Sequence, residues 1–131
     1  MKYLFFFFLL TAITFSGIAQ KFTMLALDPL NSAFDEQNPL LSRDGKTLWF
    51  TIANHPQNMG GKKDLGDIWY ATWQGRQWSS PVHGGSVINN RGYNAIAGLS
   101  DDGSWLLLFN HYDQHGDPAK TQGISLSRKT N

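Results

Sequence analysis

Leu41-Ser42-Arg43-Asp44-Gly45-Lys46-Thr47-Leu48-Trp49-Phe50 reads as the end of one strand, a tight Asp-Gly turn and the start of a second strand. The stretch occurs twice. Its second copy is Leu99-Ser100-Asp101-Asp102-Gly103-Ser104-Trp105-Leu106-Leu107-Leu108, in which Ser, Asp, Gly and the following Leu are each displaced by 58 positions. In each copy Asp can hydrogen-bond forward to the backbone, and Gly accepts the positive φ that closes a hairpin. Ser42, Asp44, Gly45, Ser100, Asp102 and Gly103 are therefore structural turn residues, and the chain is a repeat protein.

Working outward, Leu30-Asn31-Ser32 matches Ile88-Asn89-Asn90 at the same displacement, so the repeats run over about 30–87 and 88–131. In the first repeat, residues 30–38 read as a polar connection and residues 39–41 as a first strand. Residues 46–52 follow as a second strand, with Leu48 and Phe50 on one side and Thr47, Trp49 and Thr51 on the other. Residues 53–66 have no strand or helix period and form a long loop, a common place for binding residues. Residues 67–73 are a third, aromatic-rich strand, and residues 78–82 a fourth whose Pro81 suits a sheet edge. The second repeat offers equivalents at 94–99, 105–110 and 123–127, with Ile124 matching Ile68, but no fourth strand. Its open edge at 123–127 is a route to self-association. Ahead of the repeats, residues 22–27 read as a short strand ended by Asp28-Pro29.

The beginning of the chain is a targeting signal. Residues 1–3 are a short basic start, residues 4–15 an apolar run, and Gly17-Ile18-Ala19 supplies the small residues a signal peptidase requires. Cleavage before Gln20 leaves residues 20–131 as the exported chain, without an integral membrane span. Loss of Lys2 leaves ten Lys and Arg against ten Asp and Glu, so bulk charge selects neither nucleic acid nor an anionic membrane. The absence of cysteine excludes a disulfide framework, a thiolate metal site and a Cys nucleophile. Aromatic bulk replaces disulfides, and Trp49, Trp69, Trp73, Trp78 and Trp105 are read as core.

These residues resemble the β-propeller repeats built around Ser-Pro-Asp-Gly in exported bacterial proteins. The resemblance extends to envelope proteins of Bacteroidetes-type bacteria that place such WD-like repeats ahead of a peptidoglycan-binding domain. It covers residues 30–131 and rests on residues 41–50, Gly66-Asp67-Ile68-Trp69-Tyr70, Trp78-Ser79-Ser80-Pro81 and Ile88-Asn89-Asn90. Arg43 and Asp101 stand where the family has proline. It implies an all-β fold, one complete four-stranded blade and one incomplete blade, hence a partial member of the family. It further implies a non-catalytic binding or scaffolding role in the periplasm or at the outer membrane, toward a protein or another envelope component. An accessory propeller fragment of a larger exported hydrolase is the alternative.

No pattern specifies a reaction. The adjacent Asp44-Gly45 and Asp102-Gly103 lack the intervening residue of a sialidase Asp-box, and no serine lies in a nucleophile elbow. Gly60-Gly61-Lys62-Lys63 lacks the phosphate-loop pattern and opens no helix. His55, His83, His111 and His115, with Asp64, Asp113 and Asp117, lack metal-ligand spacing, and neither aspartate group follows a calcium loop. No cofactor is implied. The candidate binding surface is the rim where the second strands end: Asn54, His55 and Asn58 in one repeat, Asn110 and His111 in the other.

Overall fold

In a computed structural model, which describes residues 20–112 and 123–130, the chain is all-β. Seven strands run in order: β1 (Asp35–Leu41), β2 (Thr47–Ala53), β3 (Asp67–Thr72), β4 (Val82–His83), β5 (Ala95–Leu99), β6 (Trp105–Phe109) and β7 (Ile124–Arg128). They form two open antiparallel meanders, β1-β2-β3-β4 and β5-β6-β7. The first sheet ends at His83 and the second begins at Ala95. Residues 1–19, expected from the sequence to be a targeting signal, and residues 113–122 of the second long loop with His115, Asp113 and Asp117, lie outside the described residues.

β2 carries the first sheet because both of its faces are covered. Leu48, Phe50 and Ile52 pack with Leu30, Trp69 and Ala71, closed over by Phe34 and Trp78. Trp49 projects to the other side, where Leu40, Trp49 and Ile68 meet Ile88, Ile96, Leu106, Leu108 and Tyr112. That second cluster is the interface between the two sheets, and it buries Ile68 and Leu108 almost completely. Large side chains buried on this scale dominate the favourable free energy of a small domain that has no disulfides.

Four expectations are corrected. β1 begins at Asp35 rather than at Pro39, because the polar residues 35–37 pair with Ala53, Ile52 and Thr51 of β2. A register shift between Gln37 and Leu40, with Asn38 at φ 49°, absorbs the irregularity as a bulge. Residues 22–27 form no strand: they pair with no other strand, and Phe22, Met24 and Leu25 are exposed. The fourth strand shortens to Val82–His83, preceded by an isolated bridge between Trp73 and Trp78. Trp73 and Trp105 are not core residues: one stacks edge-on against Trp78 at the surface, and the other lies under Arg128.

Candidate functional site

The two Asp-Gly turns share the same three side-chain bonds, and the second adds one from Ser104 Oγ to Asp102 Oδ1 (2.7 Å). In the first, Ser42 Oγ donates to Asp44 Oδ1 (2.6 Å) and accepts the Thr47 N–H (2.8 Å), while the Lys46 N–H donates to Asp44 Oδ1 (3.0 Å). In the second, Ser100 Oγ donates to Asp102 Oδ1 (2.7 Å) and accepts the Trp105 N–H (2.9 Å), while the Ser104 N–H donates to Asp102 Oδ1 (3.0 Å). Gly45 and Gly103 take φ values of 71° and 68°, which a side chain would disfavour. Hydrogen bonds to the ionised carboxylates hold both acids low, Ser42 and then Lys46 N–H acting on Asp44, and the Ser100 hydroxyl foremost on Asp102, which falls to about 2. In each turn the serine hydroxyl and the Oδ1 of the aspartate are used within the turn itself.

Stacking of the sheets brings these turns side by side. Between them lies a groove of about 690 Å³, with Trp49, Val87, Ile88 and Leu106 on its apolar part and Arg43, Asp101, Arg128 and Lys129 on its polar part. Arg43 and Asp101, each the residue before its turn aspartate, form an ion pair across it.

The rim residues named from sequence lie at the opposite ends of β2 and β6. Asn54 and Asn110 occupy equivalent places with positive φ (59° and 90°), and their N–H groups donate to Asp64 O and Gly123 O (2.8 and 2.9 Å). Positive φ is tolerated better by Asn than by most residues, which accounts for the same residue at both exits. Asn54 and His111 are exposed. Asn110 is half-buried and donates from Nδ2 to Asn90 Oδ1 (3.3 Å). His55 packs its ring between Phe34 and Trp69 at centroid distances of 4.7 and 4.4 Å. Burial, and then the charge of His83, push its imidazole below the usual range. Asn58 is not a surface residue: its Nδ2 donates to Ile52 O (2.8 Å) and its Oδ1 accepts the Trp69 Nε1–H (3.1 Å), both buried. The loop 53–66 is thus folded back on the sheet, with one 3-10 turn at Gly61–Lys63, rather than displayed.

Sequence reading missed an acid–imidazole pair. Asp67, fully buried at the start of β3, accepts from Met59 N–H (2.6 Å) and from His83 Nε2 (2.7 Å) through Oδ2, while its Oδ1 has no partner. His83 Nδ1 accepts the Gly85 N–H (3.1 Å), which leaves Nε2 as the ring donor to Asp67. Burial raises the Asp67 pKa against the lowering effect of these bonds. The ring of Trp69 separates His83 from His55. Among the described residues no three His, Asp, Glu or Cys side chains group as metal ligands, and His55 and His83 are joined only through this ring. An apolar strand opening with Gly66-Asp67 was the available signal, since an acid in such a run has to be paired.

Asparagines seal the junction between repeats. Asn89 behaves as an extra strand edge: Oδ1 accepts the Ile68 N–H (2.6 Å) and Nδ2 donates to Ile68 O (3.1 Å). Asn94 Oδ1 accepts the Asn90 N–H (2.5 Å), and the Asn94 carbonyl receives Thr51 Oγ1 (3.0 Å) from the first sheet. A Cβ on Gly66 would overlap the Thr51 methyl, so the close approach here requires glycine. Tyr112 donates its hydroxyl to Ile88 O (2.7 Å), and burial, followed by the nearby Asp67 charge, raises its pKa. No helix among the described residues is long and apolar enough to cross a membrane. No family model, curated protein or solved structure matches the chain.

Proposed function

We propose that this chain is an exported propeller-repeat module with a non-catalytic binding or scaffolding role in the periplasm or cell envelope. One observation carries the site of that role: the groove between the two Asp-Gly turns exists only because the repeats stack. Its walls combine apolar side chains with groups of both charge signs, a composition suited to a protein segment rather than to a polyanion. The export reading rests on residues 1–19, and the propeller reading on the repeated Ser-x-Asp-Gly turns and the sheet stack.

The test places a photo-crosslinking residue at Val87, exposed on the groove, and in a second protein at Leu65, exposed on the loop 53–66. Both are expressed in cells of the native host. The proposal expects a discrete adduct with an envelope protein from Val87 and none from Leu65, with the protein recovered in the periplasmic fraction. Retention in the cytosol, or equal adducts from both positions, would contradict it.

A further inference from the structure

β7 is apolar on the wrong side for a strand at the edge of a finished sheet. Ser125 and Ser127 point toward the first sheet, paired with Leu108 and Leu106, whereas Ile124 and Leu126 point outward. Their cross-strand partners on the outward face are Phe109 and Leu107, and the row ends at Trp105 opposite Arg128. A three-stranded sheet thus presents a continuous apolar face, of a kind that a solvated antiparallel sheet normally fills with polar residues.

The repeat identifies what such a face is built for. Ile68 in β3 is the equivalent of Ile124 and Thr51 in β2 that of Phe109; Ile68 is 0% exposed and Thr51 1%, while Ile124 is 72% and Phe109 46% exposed. The difference arises because a β-sheet lies on the first pair, whereas among the described residues nothing lies on the second. The occupant that fits is therefore another apolar sheet face. Among the described residues a second copy offers one such face, its own β6-β7 surface, since Leu48, Phe50 and Ile52 on the far side of the first sheet are already covered by Leu30, Phe34 and Trp78.

We infer that two copies of this chain associate through the outward face of β6 and β7, sheet on sheet about a two-fold axis. Covering the five apolar side chains removes on the order of 500 Å² per copy, roughly 1,000 Å² in total, which is the lower bound for a specific interface. A formal charge of +1 on the whole chain sets no long-range barrier between copies. The one charged residue of the row, Arg128, lies at its end over the Trp105 ring at 5.0 Å. The contact uses the sheet's face and is distinct from pairing at the open edge of β7.

Sedimentation of the purified protein over a wide concentration range tests this. A monomer–dimer equilibrium is expected. Leu126→Glu, outward on β7, weakens it by about tenfold or more, because a charge would be buried unpaired. Leu65→Glu, on an exposed loop, leaves it unchanged. A second measurement does not depend on the fold tolerating glutamate: the chain has no cysteine, so Leu107→Cys under mild oxidation gives a covalent dimer and Leu65→Cys does not. A monomer at every concentration, open-ended assembly, or equal cross-linking from both cysteines overturns the inference.

Discussion

Arg43 and Asp101 occupy the same place in the two turns, 58 residues apart, and meet as an ion pair across the groove. Both side chains are largely exposed, so the pair registers the turns against each other without contributing much stability. A double-mutant cycle with Arg43→Ala and Asp101→Ala is predicted to give a coupling below about 1 kcal/mol that shrinks with added salt. Denaturant titrations at low and high ionic strength measure it.

The turn glycines carry more. Gly45 and Gly103 have open space where a Cβ would stand, so the cost of alanine is conformational alone. Gly45→Ala and Gly103→Ala are each predicted to destabilise by about 1–2 kcal/mol, read by urea denaturation.

Asp102 gives a pH signature. Its pKa is depressed in the folded chain to about 2, below the unfolded value near 3.8, so its stabilising contribution is present above the unfolded pKa. That contribution is lost as pH falls through the interval between the two values. Asp44 acts in the same direction. Asp67 acts oppositely: its folded pKa is raised, so its contribution is largest below the unfolded pKa and is lost as pH rises through the folded one. The stability of the wild type relative to Asp67→Asn is predicted to decline as pH rises above 3.8. Thermal melts of both proteins across that range check the sign.

Asn89 is the most sensitive polar residue of the junction. Asn89→Ala leaves the Ile68 N–H without its bond in a dry environment and removes a second bond from Ile68 O. The predicted loss is about 2–4 kcal/mol. Amide exchange at Ile68 should accelerate more than at Tyr70.

The turns were legible in the sequence because their chemistry is local: Ser, Asp and Gly bond within six residues, whatever lies beyond. The two covered faces of β2 were legible from its alternation. β1 was not, since Asp35, Glu36 and Gln37 read as loop until β2 supplies their hydrogen-bond partners. The reverse error fell on residues 22–27, which carry strand-favouring side chains but pair with no strand. At the candidate site, Asn54 and Asn110 were recognised as equivalent positions, and the structure adds that each bends the chain at a strand exit. Asn58 could not be placed from sequence, because its burial depends on Trp69, eleven residues away. The Asp67–His83 pair depends on β3 and β4 lying side by side, a relation no local pattern encodes.

Equivalent positions should respond unequally to the same change. Ile68→Ala, in the dry interface between the sheets, is predicted to cost about 2–5 kcal/mol. Ile124→Ala, its exposed counterpart, should stay within about 0.5 kcal/mol for the monomer. Denaturation at low protein concentration makes the comparison.

The stacking of the two repeats, with their turns side by side, is the relation on which the groove and the open sheet face both depend. Spin labels on Arg43→Cys/Asp101→Cys, in a chain with no other cysteine, test it most directly. The account predicts strong dipolar broadening in the monomer, abolished by denaturant. Spectra that equal the sum of the two singly labelled proteins would show that the turns do not meet, and would contradict the stacked arrangement.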